Sequence, residues 1–213
     1  MAYGFLDTLS TRGVRAAQAA NGSAEMWQKF SGHRAFDRFT AAETAFVQAR
    51  DSFYMATVSE SGWPYIQHRG GPVGFLKVLD EKTLAFADFR GNRQYISLGN
   101  VASDDRAALF LMDYPNRQRL KILAHMSVRD LAAEPEFAEQ LSSPGYKGRP
   151  ERAFILKLEA FDWNCPQHIT PRFTADEVAA GTLLLRERLA ETEAQLKILR
   201  EHVARPQNPE SAP

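Results

Sequence analysis

Three short polar clusters hold the residues of this chain that could do chemistry. Gln67, His68 and Arg69 stand in a row inside "WPYIQHRGGPVGFLKVLD", just before a Gly-Gly-Pro break. Asp88, Arg90, Asn92, Arg93 and Gln94 fall within "DFRGNRQ", and Arg117, Gln118, Arg119 and Lys121 within "NRQRLK". Each mixes guanidinium or ammonium groups with amide donors, a composition that suits an anion. A glycine turn leading through Asn-Arg-Gln into a helix also offers free backbone N–H groups and the positive end of a helix dipole, with Arg93 as a bidentate clamp. The competing reading of each cluster is a charged surface turn. For the first cluster, strand alternation forces at least one of three consecutive polar residues inward, where an unpaired charge costs several kcal/mol or more.

Other chemistries lack their residues. The five histidines (33, 68, 125, 168 and 202) form no HxxxH or HExxH pair, so no zinc site is expected. There is no GxSxG elbow, Walker loop or GxGxxG. Cys165 is the sole cysteine, which rules out an internal disulfide. Twenty-six basic and 26 acidic residues cancel, so no net charge draws the chain to nucleic acid or an anionic membrane. No apolar run approaches the ~18 residues of a spanning helix. Asp7, Arg12 and Arg15 occupy what would be the apolar core of a signal peptide, so a cytoplasmic protein is expected.

The elements that must position these clusters are mostly strands. "SFYMATVS", "WPYIQHR", "VGFLKVLD" and "TLAFADF" are rich in β-formers, and their tight turns suggest a meander. "RAALFLMDY", "QRLKILAHMSVRD" and "RAFILKLEAFDW" bring the total to seven, enough for an antiparallel barrel or sandwich. Short helices are expected at "TAAETAFVQAR", where Thr40 and Glu43 have capping-box spacing, at "NRQYISLGNV" and at "PEFAEQLSS". The first ~40 residues show no period, although "RAFDRFT" suggests packed aromatics. From Thr174, the residues Val178, Thr182, Leu185, Leu189, Thr192, Leu196, Leu199 and Val203 alternate spacings of four and three. That heptad seam would pair with another helix or pack on its own domain. The expected segments are an N-terminal extension (1–42), a barrel domain (43–173), the heptad helix (174–204) and a disordered tail (205–213).

The order of "WPYIQHRGGPVGFLKVLD", "LAFADFRGNRQYISLGN", "RAALFLMDYPNRQRLKILA" and "FDWNCPQHITPRF" resembles the pyridoxamine 5'-phosphate oxidase-like flavoproteins, in their small FMN-binding branch of unassigned substrate. The resemblance covers roughly Ala45 to Phe173. It implies a mainly β fold, a split antiparallel β-barrel with peripheral helices and a long C-terminal helix. It also implies a homodimer with FMN in a cleft between subunits, and an FMN-dependent oxidoreductase passing two electrons or a hydride to an unidentified small molecule, with NAD(P)H as a candidate donor. The alternatives are a redox sensor or other binder without turnover, or a protein holding a deazaflavin or haem.

Residue by residue, Lys77 matches the end of the family's Arg-x-Val-Leu-Leu-Lys strand. The Arg of that strand falls on Pro72, so its role passes to Gln67, His68 and Arg69. "FADFRGNRQ" matches the phosphate segment, with Asp88 at its Thr, Asn92 at its Ser, Arg93 at its Arg and Gln94 at its Lys. "RQRLKI" places Gln118 on the flavin and makes Lys121 a basic contact. "WNCPQHIT" makes Trp163, Asn164, Gln167 and His168 candidates, while the oxidases' own substrate signatures are missing. Gly70 and Gly71 are expected to let the backbone approach the ligand closely.

Overall fold

A computed structural model describes residues 4–148, 150–163 and 166–204. The chain divides into two compact units, one ending at Thr170 and the other beginning at Pro171.

Seven strands form one antiparallel sheet in the first unit: β1 (Ser52–Val58), β2 (Pro64–Gly70), β3 (Lys77–Asp80), β4 (Thr83–Phe89), β5 (Arg106–Asp113), β6 (Gln118–Arg129) and β7 (Pro150–Trp163). Their order is β2-β1-β5-β6-β7-β4-β3. The expected meander is therefore wrong at one joint. The β1–β2 and β3–β4 hairpins sit at opposite edges of the sheet. The sheet curls until those edges meet, because Arg69 of β2 bonds Asp88 of β4 at 2.7 Å, and Phe53 of β1 packs edge-on against Phe86 of β4 at 5.3 Å. The product is a split antiparallel β-barrel with peripheral helices.

The Gly-Gly-Pro break makes the crossing between the hairpins. Gly71 N–H donates to the Asp51 carbonyl, and the Phe75 N–H donates back to the Pro72 carbonyl. Val73–Leu76 are thus not strand; Phe75 and Leu76 instead drop their side chains into the core. A Cβ on Gly71 would lie 2.6 Å from Phe75 Cγ. Gly71 therefore makes room for a core ring, where the sequence suggested a close approach to a ligand.

The core is aromatic and aliphatic, built from the inward positions of alternating strands such as Phe53, Met55, Leu109, Leu111, Leu120, Ile122, Phe154, Leu156 and Phe161. Helix α4 (Ala41–Gln48) opens on the expected capping box, with Thr40 and Glu43 bonded reciprocally. Phe36 and Phe39 of "RAFDRFT" stack on Phe161 at 5.1 and 5.8 Å.

Ahead of that segment lie three helices the sequence left unread, α1 (Phe5–Leu9), α2 (Arg12–Ala20) and α3 (Ala24–Lys29). They bury only Phe5, and the apolar side of α2 is mostly alanine. Helices α5 (Ile96–Ser103) and α6 (Pro135–Leu141) complete the unit.

The second unit holds helix α7 (Ala175–Ala204), capped by Thr174 and Glu177. Among the described residues, no helix is long and apolar enough to cross a membrane. The proposed tail from 205 onward lies outside the described residues.

Candidate functional site

Strand β2 settles which way the first cluster points. Tyr65, Gln67 and Arg69 are half-buried on its inner face, whereas Ile66 and His68 are exposed on its outer face. His68 packs edge-on against Tyr54, with ring centres 5.6 Å apart. Gln67 accepts a hydrogen bond from Ser97 Oγ at 3.3 Å.

The guanidinium of Arg69 reaches the barrel seam. It lies 5.3 Å from the Phe154 ring centre and 5.7 Å from that of Phe86, and bonds Asp88 Oδ1. Burial lowers its pKa from the usual value, against the pull of Asp88. Its Nε is buried without a hydrogen-bond partner among the described residues, a donor that costs free energy until something accepts from it.

Asp88 is buried and shared. Its second oxygen accepts from Arg152 at 2.8 Å, across the β4–β7 pairing that sets the two residues side by side. Arg152 also bonds Glu151 at 3.2 Å and lies over the Tyr95 ring at 4.9 Å. Arg90 approaches Glu151 at 3.8 Å. Four guanidiniums (Arg69, Arg90, Arg93 and Arg152) thus surround two carboxylates, leaving a local surplus of positive charge.

The turn between β4 and α5 is shaped by two left-handed residues, Arg93 (φ 62°) and Tyr95 (φ 55°). A left-handed non-glycine residue costs on the order of 1 kcal/mol or more, so the surroundings must hold it. One holding contact is the Gln94 N–H donating to Asn92 Oδ1 at 3.1 Å. Left-handed residues interleaved with ordinary ones turn successive N–H groups to one side, a backbone arrangement that binds anions. These two residues also delay the helix, which starts at Ile96 and not at Asn92. Tyr95, at the N-cap, supplies no side-chain cap, so the first N–H groups of α5 keep their donor capacity. Asn100 fixes the helix to the barrel by donating to the buried Thr57 hydroxyl at 2.9 Å.

These parts line one open cleft of about 580 Å³, mouth included, where Tyr65, Gln67 and Arg69 face the Asn92–Gln94 turn and Ser97. A neighbouring hollow of about 440 Å³ is bordered by Gln67, His68, Arg69, Gly70 and Asp88. Five of the residues singled out in the sequence therefore converge with Arg69: Gln67, Asp88, Asn92, Arg93 and Gln94.

The others lie elsewhere on the chain. Lys77 begins edge strand β3, opposite Ala85. Gln118 is exposed at the start of β6, opposite Asp113. Lys121 is engaged by Asp162 at 2.6 Å and lies 4.7 Å from the Phe5 ring centre. Trp163 donates its indole N–H to Glu43 Oε1 at 2.8 Å and packs edge-on against Phe46. Gln167 and His168 are exposed in the following loop, and Asn164 lies outside the described residues.

Arg152, Glu151, Tyr95, Ser97 and Tyr65 were not foreseen. For Arg152 no local signal existed, because its partner Asp88 is 64 residues away. No cluster of three metal-ligating side chains occurs among the described residues.

The chain belongs to the pyridoxamine 5'-phosphate oxidase family, whose model matches residues 39–159. Similar solved structures include an FMN-binding protein from Syntrophomonas wolfei at 15% identity, covering 72% of this chain and 95% of that one, with a TM-score of 0.44. A protein of Clostridium acetobutylicum related to general stress protein 26 is 15% identical over 64% of this chain and 94% of its own (TM-score 0.42). HupZ of Group A Streptococcus is 14% identical over 63% of this chain and 100% of its own (TM-score 0.45). No curated protein matches the sequence.

Proposed function

We propose that the chain is an FMN-dependent oxidoreductase that holds its cofactor non-covalently between the subunits of a homodimer. The observation that carries this reading is the cleft in which Gln67 and Arg69 of β2 meet the Asn92–Gln94 turn at the start of α5. Its chemistry fits FMN at both ends. The surplus positive charge, the left-handed turn and the uncapped helix suit a phosphate dianion, with Arg93 as the clamp. The Gln67 amide is a donor for the carbonyl edge of the ring, and the Arg69 guanidinium brings positive charge near it.

Bound FMN supplies the two-electron chemistry. The chain orients and charges the site, and the two carboxylates of the cleft, Asp88 and Glu151, are both committed to arginines. That same observation favours, as a second reading, a flavin-binding protein without turnover.

The dimer is part of this reading: Gln118, Lys121, Gln167 and His168 do not line the cleft, and a role for them on the ligand requires a second copy. One row of the sheet's outer face is also apolar, with Ile66, Ala56, Ala108 and Leu123 in register across β2, β1, β5 and β6. The adjoining row sets Tyr54 and Phe110 between His68 and Lys121.

The test is the absorbance spectrum and mass of what copurifies, followed by reconstitution with FMN. Flavin bands and stoichiometric FMN are expected; a colourless protein that refuses FMN overturns the reading. Arg93→Ala should weaken FMN retention by about 1.5–3 kcal/mol, roughly 10- to 150-fold in Kd. Unchanged affinity removes Arg93 from the site. Steady-state oxidation of NADPH or NADH by the yellow protein separates an enzyme from a passive binder.

A further inference from the structure

Helix α7 is about 45 Å long and exposes its heptad seam, with only Thr182 partly covered. Leu185, Leu189, Leu196, Leu199 and Val203 are 70, 58, 45, 62 and 87% exposed. In the register d-a-d-a that begins at Val178, the seam is apolar except for Thr182 and Thr192. Both threonines resolve their own polarity. Thr182 Oγ1 donates to the Val178 carbonyl and Thr192 Oγ1 to the Arg188 carbonyl, each at 2.7 Å. With the hydroxyls turned back onto the helix, burying these positions strands no hydroxyl donor.

The flanking charges say what covers the seam. In a parallel pair of identical helices, position g of one faces position e of the next heptad on the other. Here Arg188 at g faces Glu193 at e, twice by symmetry, while Gly181 faces Arg186 and Gln195 faces Arg200. No flanking pair sets like charges together. A membrane surface fits worse, because the helix carries four basic and six acidic side chains and lacks the cationic face an anionic bilayer attracts.

We propose that the α7 helices of two copies pair along this seam as a parallel two-stranded coiled coil. The parallel sense rests on the barrel dimer proposed above. Only Pro171–Thr174 join α7 to the first unit, so each helix start is tethered to its own barrel, and a barrel dimer keeps the two starts in one assembly. The occupant of the seam is then the same seam on a second chain.

The experiment is disulfide trapping in the full chain with Cys165→Ser as background. Leu185→Cys and Leu199→Cys place thiols at the seam, and Ala194→Cys places one on the outer face. Seam thiols meet at an effective concentration near millimolar against micromolar free chain. Under a mild oxidant both seam variants should reach the covalent dimer about a hundredfold faster than Ala194→Cys, at a rate independent of protein concentration. Equal rates for all three, or no trapping at either seam position (as in an antiparallel or unpaired helix), overturn the proposal. Flavin absorbance read on the same samples keeps the two readings apart. Yellow protein that does not trap sinks only the coiled coil, and colourless protein that traps sinks only the flavin site.

Discussion

Replacing Asp88 with asparagine is the sharpest test of how the barrel seam is held. Asp88 is 8% exposed and bonds Arg69 at 2.7 Å and Arg152 at 2.8 Å. Those guanidinium side chains are themselves only 13 and 17% exposed, so solvent screens the interaction weakly. Asparagine keeps the shape and one acceptor but removes the charge, leaving two neighbouring guanidiniums without their shared counter-ion. Removing one partner of a buried pair costs about 3–5 kcal/mol. The retained acceptor returns roughly 1 kcal/mol, so a net loss of about 3 kcal/mol is expected. With a urea m-value of about 2 kcal/mol/M, the unfolding midpoint should fall by about 1.5 M. Because the damage is mutual repulsion as well as lost bonding, Asp88→Asn should cost clearly less in an Arg152→Met background, with a coupling of about 1–3 kcal/mol. A midpoint shift below about 0.5 M, or equal losses in both backgrounds, would refute the view that Asp88 neutralises this seam.

Thr57→Val should leave the buried Asn100 amide without its acceptor and cost about 1–3 kcal/mol by urea unfolding; it should also weaken FMN retention, since Asn100 ties α5 to β1. Gly71→Ala places a Cβ against the Phe75 ring and should destabilise by about 1–3 kcal/mol, and a neutral result would show that the ring yields. Burial pushes the Glu43 carboxyl up, but hydrogen bonds from Thr40 and the Trp163 indole outweigh it and hold the group below its ordinary 4.5. Its stabilisation is therefore present above pH 4.5 and lost as pH falls through the lowered folded value. Trp163→Phe should flatten that acid-side loss in unfolding midpoints measured from pH 6 to 3, and an unchanged pH slope would count against the contact.

The strands were legible because period-two alternation and turn residues are local properties of the chain, and so was the α4 capping box. The crowding of polar residues around the "DFRGNRQ" glycine was legible for the same reason. The choice among Gln67, His68 and Arg69 was not, since all three are polar and only the strand's seating on the barrel turns Gln67 and Arg69 inward and His68 out. Lys77 and Trp163 show the reverse difficulty. They match a family pattern by spacing, yet within this chain Lys77 sits on an edge strand and Trp163 is bonded to Glu43 from α4.

By itself, then, the sequence determined most of the strands, the capped helices, the polar turn and the heptad seam, each a consequence of spacing along a few residues. The tertiary structure decided that the two hairpins lie at opposite edges of the sheet. It also decided that a carboxylate at 88 is shared by arginines at 69 and 152. Those outcomes depend on contacts between segments far apart in the chain, made only when the sheet curls and its edges meet. No window of local sequence contains them.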